Sequence, residues 1–173
     1  MNTFNARRAL LSATALACLG LLAGTAQVQS AWPSKIVKIV VPYAPGGAVD
    51  VVTRKMAQKL TEQTGQSFIV ENKPGAGGTL ASGFVSKAAP DGYTLLIGTV
   101  GIHAINGALY ERLSYDPIAD FTPISFLAST PNVLIVSKQL GVQSLKELIA
   151  LGKAKPNELT FGSSGTGTSI HMS

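Results

Sequence analysis

Residues Val40-Val41-Pro42-Tyr43-Ala44-Pro45-Gly46-Gly47-Ala48-Val49-Asp50 decide how this chain is read. The apolar run from Ile36 to Val41 stops at a proline, two glycines follow, and a helical pattern opens with an acid in its first turn. That order spells a strand, a tight turn and a helix N-terminus. Glycines carry no Cβ, so the backbone there can approach a ligand and turn its amides outward. The first N–H groups of a helix lack internal partners and carry partial positive charge, which suits a small anion.

Working outward, the strand is the β-branched run Lys35–Val41. From Ala48 to Thr64 apolar residues Val49, Val52, Met56, Ala57 and Leu60 recur at helical spacing, and Gly65 closes the helix. Phe68–Val70 is a second strand, leading into the glycine-rich turn Asn72–Gly78 and a short helix over about Thr79–Ala88. Tyr93–Ile97 is a third strand, followed by the small-residue loop Gly98–Gly101 and a helix over His103–Leu113. Strands alternating with helices predict an α/β fold, a parallel sheet with helices on both faces. Ligands of such sheets bind outside the carboxyl ends of the strands.

After Leu113 the texture changes. Residues 114–123 hold two prolines and two aspartates with little periodicity, which marks a crossover. Ile124–Leu127, Val133–Val136 and Leu159–Phe161 read as further strands. Ser144–Lys153 reads as a helix whose Ser144 and Glu147 form a capping box. The division expected is 1–30 an export signal, 31–113 a first α/β lobe, 114–130 a crossover or hinge, and 131–173 the start of a second lobe. The glycine- and serine-rich turn after Leu159–Phe161 would normally feed a helix, so the second lobe is expected to be truncated, with impaired binding.

Charge and cysteine usage narrow the function. The formal charge is +5, and Arg7 and Arg8 lie in the basic region of residues 1–30; the remainder carries +3. That excess suits an anionic small molecule and is too scattered for nucleic acid. Ala9–Gly24 supplies a signal's apolar stretch, with cleavage patterns at Val28-Gln29-Ser30 or Gly24-Thr25-Ala26. A retained N-terminal anchor and lipidation at Cys18 are the alternatives. Cys18 is the single cysteine, so a cleaved chain has no disulfide, thiolate nucleophile or zinc–thiolate site.

Enzyme signatures are poorly met. The chain has no nucleotide P-loop, Gly75-Ala76-Gly77-Gly78-Thr79-Leu80 lacks the third glycine of a dinucleotide fingerprint, and Gly162-Ser163-Ser164-Gly165-Thr166 misses the nucleophile-elbow spacing. A serine nucleophile could use His171, yet no acid follows to orient that ring. His103 and His171 are too few for a metal site among sparse acids. No catalytic residue, metal or cofactor is therefore expected. His103 either reaches the cleft or bonds to backbone. Asp50 either complements the helix dipole or holds the glycine turn and a ligand's polar end. Tyr43 either caps the cleft or packs beside the strand end. Four loops rich in amides and hydroxyls fit a carboxylate held by N–H groups, Ser/Thr hydroxyls and bridging water.

Five motifs in order carry a family resemblance: Pro42-x-x-Pro45-Gly46-Gly47-x-x-Asp50, Glu71-Asn72-x-Pro74-Gly75-Ala76-Gly77-Gly78, Tyr115-Asp116-Pro117-x-x-Asp120-Phe121-x-Pro123-Ile124, Ser144-Leu145-Lys146-Glu147-Leu148, and Gly162-Ser163-Ser164-Gly165-x-Gly167-x-x-x-His171. From Lys35 to His171 the chain resembles the periplasmic substrate-binding proteins of tripartite tricarboxylate transporters, also called Bug proteins. It departs at Asn106-Gly107, where many members have Asn-Pro. The resemblance implies a periplasmic-binding-protein-like fold of two lobes with parallel-rich sheets flanked by helices, closing on a small organic acid. It implies a monomer that serves membrane transporter subunits from the periplasm. The ligand could be a di- or tricarboxylate, an amino acid or an aromatic acid. Together the loops and the resemblance nominate Tyr43, Gly46, Gly47, Asp50, Ala76, Gly77, Gly78, Thr99, His103, Ser163, Ser164, Gly165 and Thr168 as ligand contacts. The rival readings are a serine-dependent hydrolase or transferase using Ser163 or Ser164, and a sensor that reports ligand occupancy to a membrane signalling partner.

Overall fold

A three-stranded parallel sheet organises the computed structural model, which describes residues 32–173. The export-signal reading of residues 1–30 lies outside the described residues, and the fold below is that of the unit Lys35–Ser173. β1 (Val37–Val41) pairs with β2 (Phe68–Asn72) on one side and β3 (Thr94–Leu96) on the other. As the central strand, β1 is covered on both faces, which is why its run of valine and isoleucine is nearly unbroken. Val37, Ile39, Val40 and Val41 are all fully buried.

Between β1 and β2 runs α1 (Ala48–Thr64), with the bounds its periodicity predicts. Its Ala57, Met56 and Leu60 pack with Val37, Ile39 and Phe68. Gly65 stops it in the left-handed conformation (φ 72°), its N–H donating to the Thr61 carbonyl at 3.0 Å. The Thr61 hydroxyl accepts from Phe68 N–H at 3.0 Å, fastening the start of β2 to the end of the helix. α2 (Thr79–Val85) follows β2 and leads to β3. It ends earlier than the expected Ala88 because the last turn tightens, with Ala88 N–H donating to the Val85 carbonyl three residues back. Right-handed crossovers in opposite directions put α1 and α2 on opposite faces of the sheet. Side chains agree: Ile39 faces the α1 cluster, whereas Lys38 reaches toward Phe84 of α2.

Both outer ladders extend past the strand ends. Lys73 N–H donates to the Val41 carbonyl (2.8 Å) and Ile97 N–H to the Val40 carbonyl (3.0 Å), so three loops leave the carboxyl edge side by side.

Beyond β3 the structure corrects several expectations. The helix predicted over His103–Leu113 is instead a π-turn at Gly101–Ile105 running into α3 (Asn106–Leu109). It stops at Tyr110, whose backbone is extended and whose hydroxyl donates to the Thr166 carbonyl at 3.3 Å, a distant contact invisible to local periodicity. The strands expected at Ile124–Leu127, Val133–Val136 and Leu159–Phe161 form no ladder. Ile124, Phe126, Val133, Ile135 and Phe161 are exposed. A strand needs a partner for its backbone groups, and among the described residues none is offered to these runs. α4 (Leu145–Ala154) is capped as predicted by Ser144, whose hydroxyl accepts from Glu147 N–H (3.2 Å). The return half of the box is displaced by one residue: the Glu147 carboxylate accepts from Gln143 N–H (2.7 Å). A last short helix, α5 (Ser169–Met172), is capped by Thr168.

Candidate functional site

The loop between β1 and α1 is held from beneath by a carboxylate. Asp50 is only 3 % exposed. One of its oxygens accepts from Gly46 N–H and from Arg54 Nε, each at 2.9 Å; the other accepts from Asn72 Nδ2, also at 2.9 Å. Asn72 Nδ2 further donates to the Tyr43 carbonyl (3.0 Å), while its own oxygen accepts from Arg54 Nη2 (2.8 Å). Hydrogen bonds from Arg54, the Gly46 amide and Asn72, in that order of weight, hold the Asp50 carboxyl far below the usual carboxylate range. Its function is thus to brace the glycine turn from inside. Gly46 carries a φ of +85° and spends its N–H on Asp50, whereas Gly47 caps α1 in extended conformation. The N–H groups of the first turn of α1 are left without intrahelical partners.

Above this turn lies a cavity of about 380 Å³. Tyr43, Pro45 and Gly47 of the first loop form one wall, Pro74 to Gly78 of the second loop another, and Ser164 with Gly165 close it from the far segment. The Tyr43 hydroxyl is 2.9 Å from Thr99 Oγ1, so the third loop steers the ring of a wall residue without lining the cavity itself. Among the nominated residues, Tyr43, Gly47, Ala76, Gly77, Gly78, Ser164 and Gly165 converge here. Asp50, Gly46 and Thr99 stand one layer behind them.

Three others are placed elsewhere. His103 Nδ1 is 2.8 Å from the Pro117 carbonyl and its ring meets Phe121 edge-on, so it ties down the stretch from Pro117 to Phe121. Ser163 Oγ lies 3.1 Å from His171 Nδ1 on the surface. Among the described residues no carboxylate bonds to that imidazole. Thr168 is buried, its hydroxyl donating to the Gly165 carbonyl (2.7 Å) and accepting from His171 N–H (3.3 Å). It shapes the loop that presents Ser164 and Gly165.

Residues that sequence reasoning left aside now matter. Arg54 and Asn72 are not among the nominated contacts, yet both are parts of the brace under the first loop. Asn106 is fully buried, donating to the Gly77 carbonyl (3.3 Å) and toward the Tyr115 hydroxyl (3.4 Å), which in turn donates to the Ile102 carbonyl (3.0 Å). A polar residue beside a small-residue loop was the available signal.

The model of the tripartite tricarboxylate transporter family receptor matches residues 52–173. The chain belongs to that family. A UPF0065 protein from the tcbD–tcbE intergenic region of Pseudomonas sp. strain P51 is 37% identical over 166 residues, covering 96% of this chain and 49% of that protein. Protein BugT of Bordetella pertussis is 33% identical over 163 residues, covering 91% of this chain and 50% of its own length. The chain thus spans about half the length of the curated relatives it matches. Two similar solved structures come from Rhodopseudomonas palustris. One, solved with adipate, has a TM-score of 0.76 at 44% identity, over 79% of this chain and 46% of that one. The other, MatC with bound malate, has a TM-score of 0.75 at 38% identity, over 80% and 47% respectively. A structure described as a periplasmic transporter aligns with a TM-score of 0.78 at 40% identity, over 82% and 48%. The α/β fold with a parallel sheet flanked by helices is that of these periplasmic binding proteins.

Proposed function

We propose that the cavity between the Tyr43–Gly47, Pro74–Gly78 and Ser164–Gly165 segments is the organic-acid site of a periplasmic receptor, which hands its ligand to membrane transporter subunits. The observation that carries this reading is the braced first loop. Asp50 and Arg54 neutralise each other below it and Asn72 bonds to both, so the wall shows the cavity no charged side chain and offers the N-terminus of a seventeen-residue helix. A carboxylate is stabilised there by the helix dipole and unpaired N–H groups, and the Ser164 hydroxyl supplies a further donor. Adipate and malate on two relatives support a dicarboxylate as the ligand class. In this reading residues 1–30 direct export, residues 114–130 act as a hinge between lobes 31–113 and 131–173, and the protein is a monomer with no catalytic role. Among the described residues, Ser163 and His171 have no carboxylate bonded to the imidazole, the orienting acid that a hydrolase would use.

Titrating adipate, malate and benzoate into ¹⁵N-labelled protein tests the site directly. The expected result is saturable amide shifts at Tyr43, Gly47, Gly75 to Gly78, Ser164 and Gly165 with the dicarboxylates. Shifts scattered over the surface, or none at these residues with any of the acids, would refute the assignment.

A further inference from the structure

The loop that brings Ser164 and Gly165 to the cavity rests on the π-turn, and the contact is backbone against backbone. A Cβ on Gly101 would stand 2.8 Å from the Gly167 carbonyl oxygen and 3.5 Å from the Thr168 Cα. A Cβ on Gly167 would stand 2.5 Å from Asn106 Oδ1, and one on Gly77 would overlap the Thr166 carbonyl oxygen. Gly77 and Gly167 have positive φ and need glycine for that reason alone. Gly101 does not: it sits in a helical turn whose conformation any residue adopts. Its lack of a side chain is therefore required only by what lies on top of it.

The π-turn itself arranges this. Asn106 N–H reaches back five residues to the Gly101 carbonyl, which puts Gly101 and Asn106 on one face, against Gly167. Asn106 is held from the sheet side by the Gly77 carbonyl and the Tyr115 hydroxyl, while its Oδ1 has no hydrogen-bond partner among the described residues and is roofed by Gly167. The loop above is internally tied, with Thr168 N–H and Oγ1 both donating to the Gly165 carbonyl. A displacement at Gly167 is therefore passed to Gly165 and Ser164 at the cavity wall.

We propose that Gly101, with Asn106, is the seat on which the Gly165–Thr168 loop closes, and that Gly101 is a positioning residue setting how completely the cavity is shut. The consequence for ligand affinity rests on the carboxylate reading above; the seating itself does not.

Hydrogen-exchange mass spectrometry without ligand tests the seat. In Gly101→Ala, exchange across 162–173 should accelerate about tenfold, the scale of an overpacked contact released locally, while 37–72 keeps its rate. Gly107→Ala is the control: its Cβ would meet only Pro117 Cγ at 3.7 Å, an ordinary contact, so neither region should change. Tyr110→Phe, which removes the bond to the Thr166 carbonyl without crowding the seat, should raise exchange at 162–173 alone. Unchanged exchange at 162–173 in Gly101→Ala overturns the proposal whatever Tyr110→Phe does, as does acceleration in Gly101→Ala that is equal over 37–72. Adipate titration of the same variants then reads the functional consequence: weaker amide shifts for Gly101→Ala than for Gly107→Ala. If neither responds to adipate, the carboxylate reading falls and the seat stands on the exchange data.

Discussion

Replacing Gly78 with alanine probes the wall of the cavity where it meets the core. Gly78 has a φ of +95°, and a Cβ there would lie 3.0 Å from both Cγ1 and Cδ1 of Ile102 and 3.2 Å from Pro42 Cβ. Ile102 and Pro42 are fully buried, so neither can swing into solvent. Left-handed backbone costs an L-residue about 1–2 kcal/mol, and overpacking a filled interior about 1–3 kcal/mol. The stiffer unfolded chain returns about 0.4–1 kcal/mol. The net loss should be about 2–4 kcal/mol, a large share of a typical domain's stability of about 5–15 kcal/mol. Gly46 supplies the comparison, since its φ is +85° yet a Cβ would meet nothing within 4 Å. Gly46→Ala should therefore cost only the backbone term, about 1 kcal/mol net. Urea unfolding gives both values from the midpoint, provided the slope stays constant. The decisive arm is Gly78→Ala combined with Ile102→Val, which deletes the crowded Cδ1. The pair should be less destabilised than the sum of the single variants by about 1 kcal/mol. Equal costs for Gly46→Ala and Gly78→Ala, or additive behaviour of the pair, would refute the packing argument.

Acidification tests the brace under the first loop. The Asp50 carboxyl is depressed well below its unfolded value of about 3.9, so its stabilisation is complete above that value and is lost only as pH falls through the lower, folded one. The Gly46 amide resonance should keep its native position while ordinary carboxylates titrate; a midpoint near 4 at that amide would contradict the arrangement. Ser144→Ala removes the one side-chain cap of α4 and should destabilise that helix by about 1 kcal/mol. Faster exchange of the Leu145–Leu148 amides, with the sheet unchanged, is the expected signature, and unaltered exchange there would show the cap to be inert.

Much of the first half could be read from local signals. Asp50 shows where that reading stopped: an acid in a helix's first turn beside two glycines suggested a ligand contact as readily as a structural one. The structure turns the carboxylate inward because Arg54 and Asn72, four and twenty-two residues away, both reach it. His103 was open for a similar reason, and Pro117 and Phe121, more than ten residues further on, decide it. In the second half, Val133–Val136 and Leu159–Phe161 have strand composition without strand structure. β-Propensity describes a residue that fits a paired, half-covered surface, and it does not provide the partner.

The sequence by itself determined the β1–α1 unit: a β-branched run, a Pro/Gly turn, seventeen residues of helical period and a glycine stop each act within a few residues of one another. It also determined the family, because five motifs keep their order along the chain. Only the tertiary structure decided which loop residues face the cavity, which brace it from behind, and that Gly101 must yield to Gly167. Those outcomes depend on groups brought together from separate loops, Asn72 against Asp50 and Gly101 against Gly167 among them, where packing geometry and not local preference selects the contact.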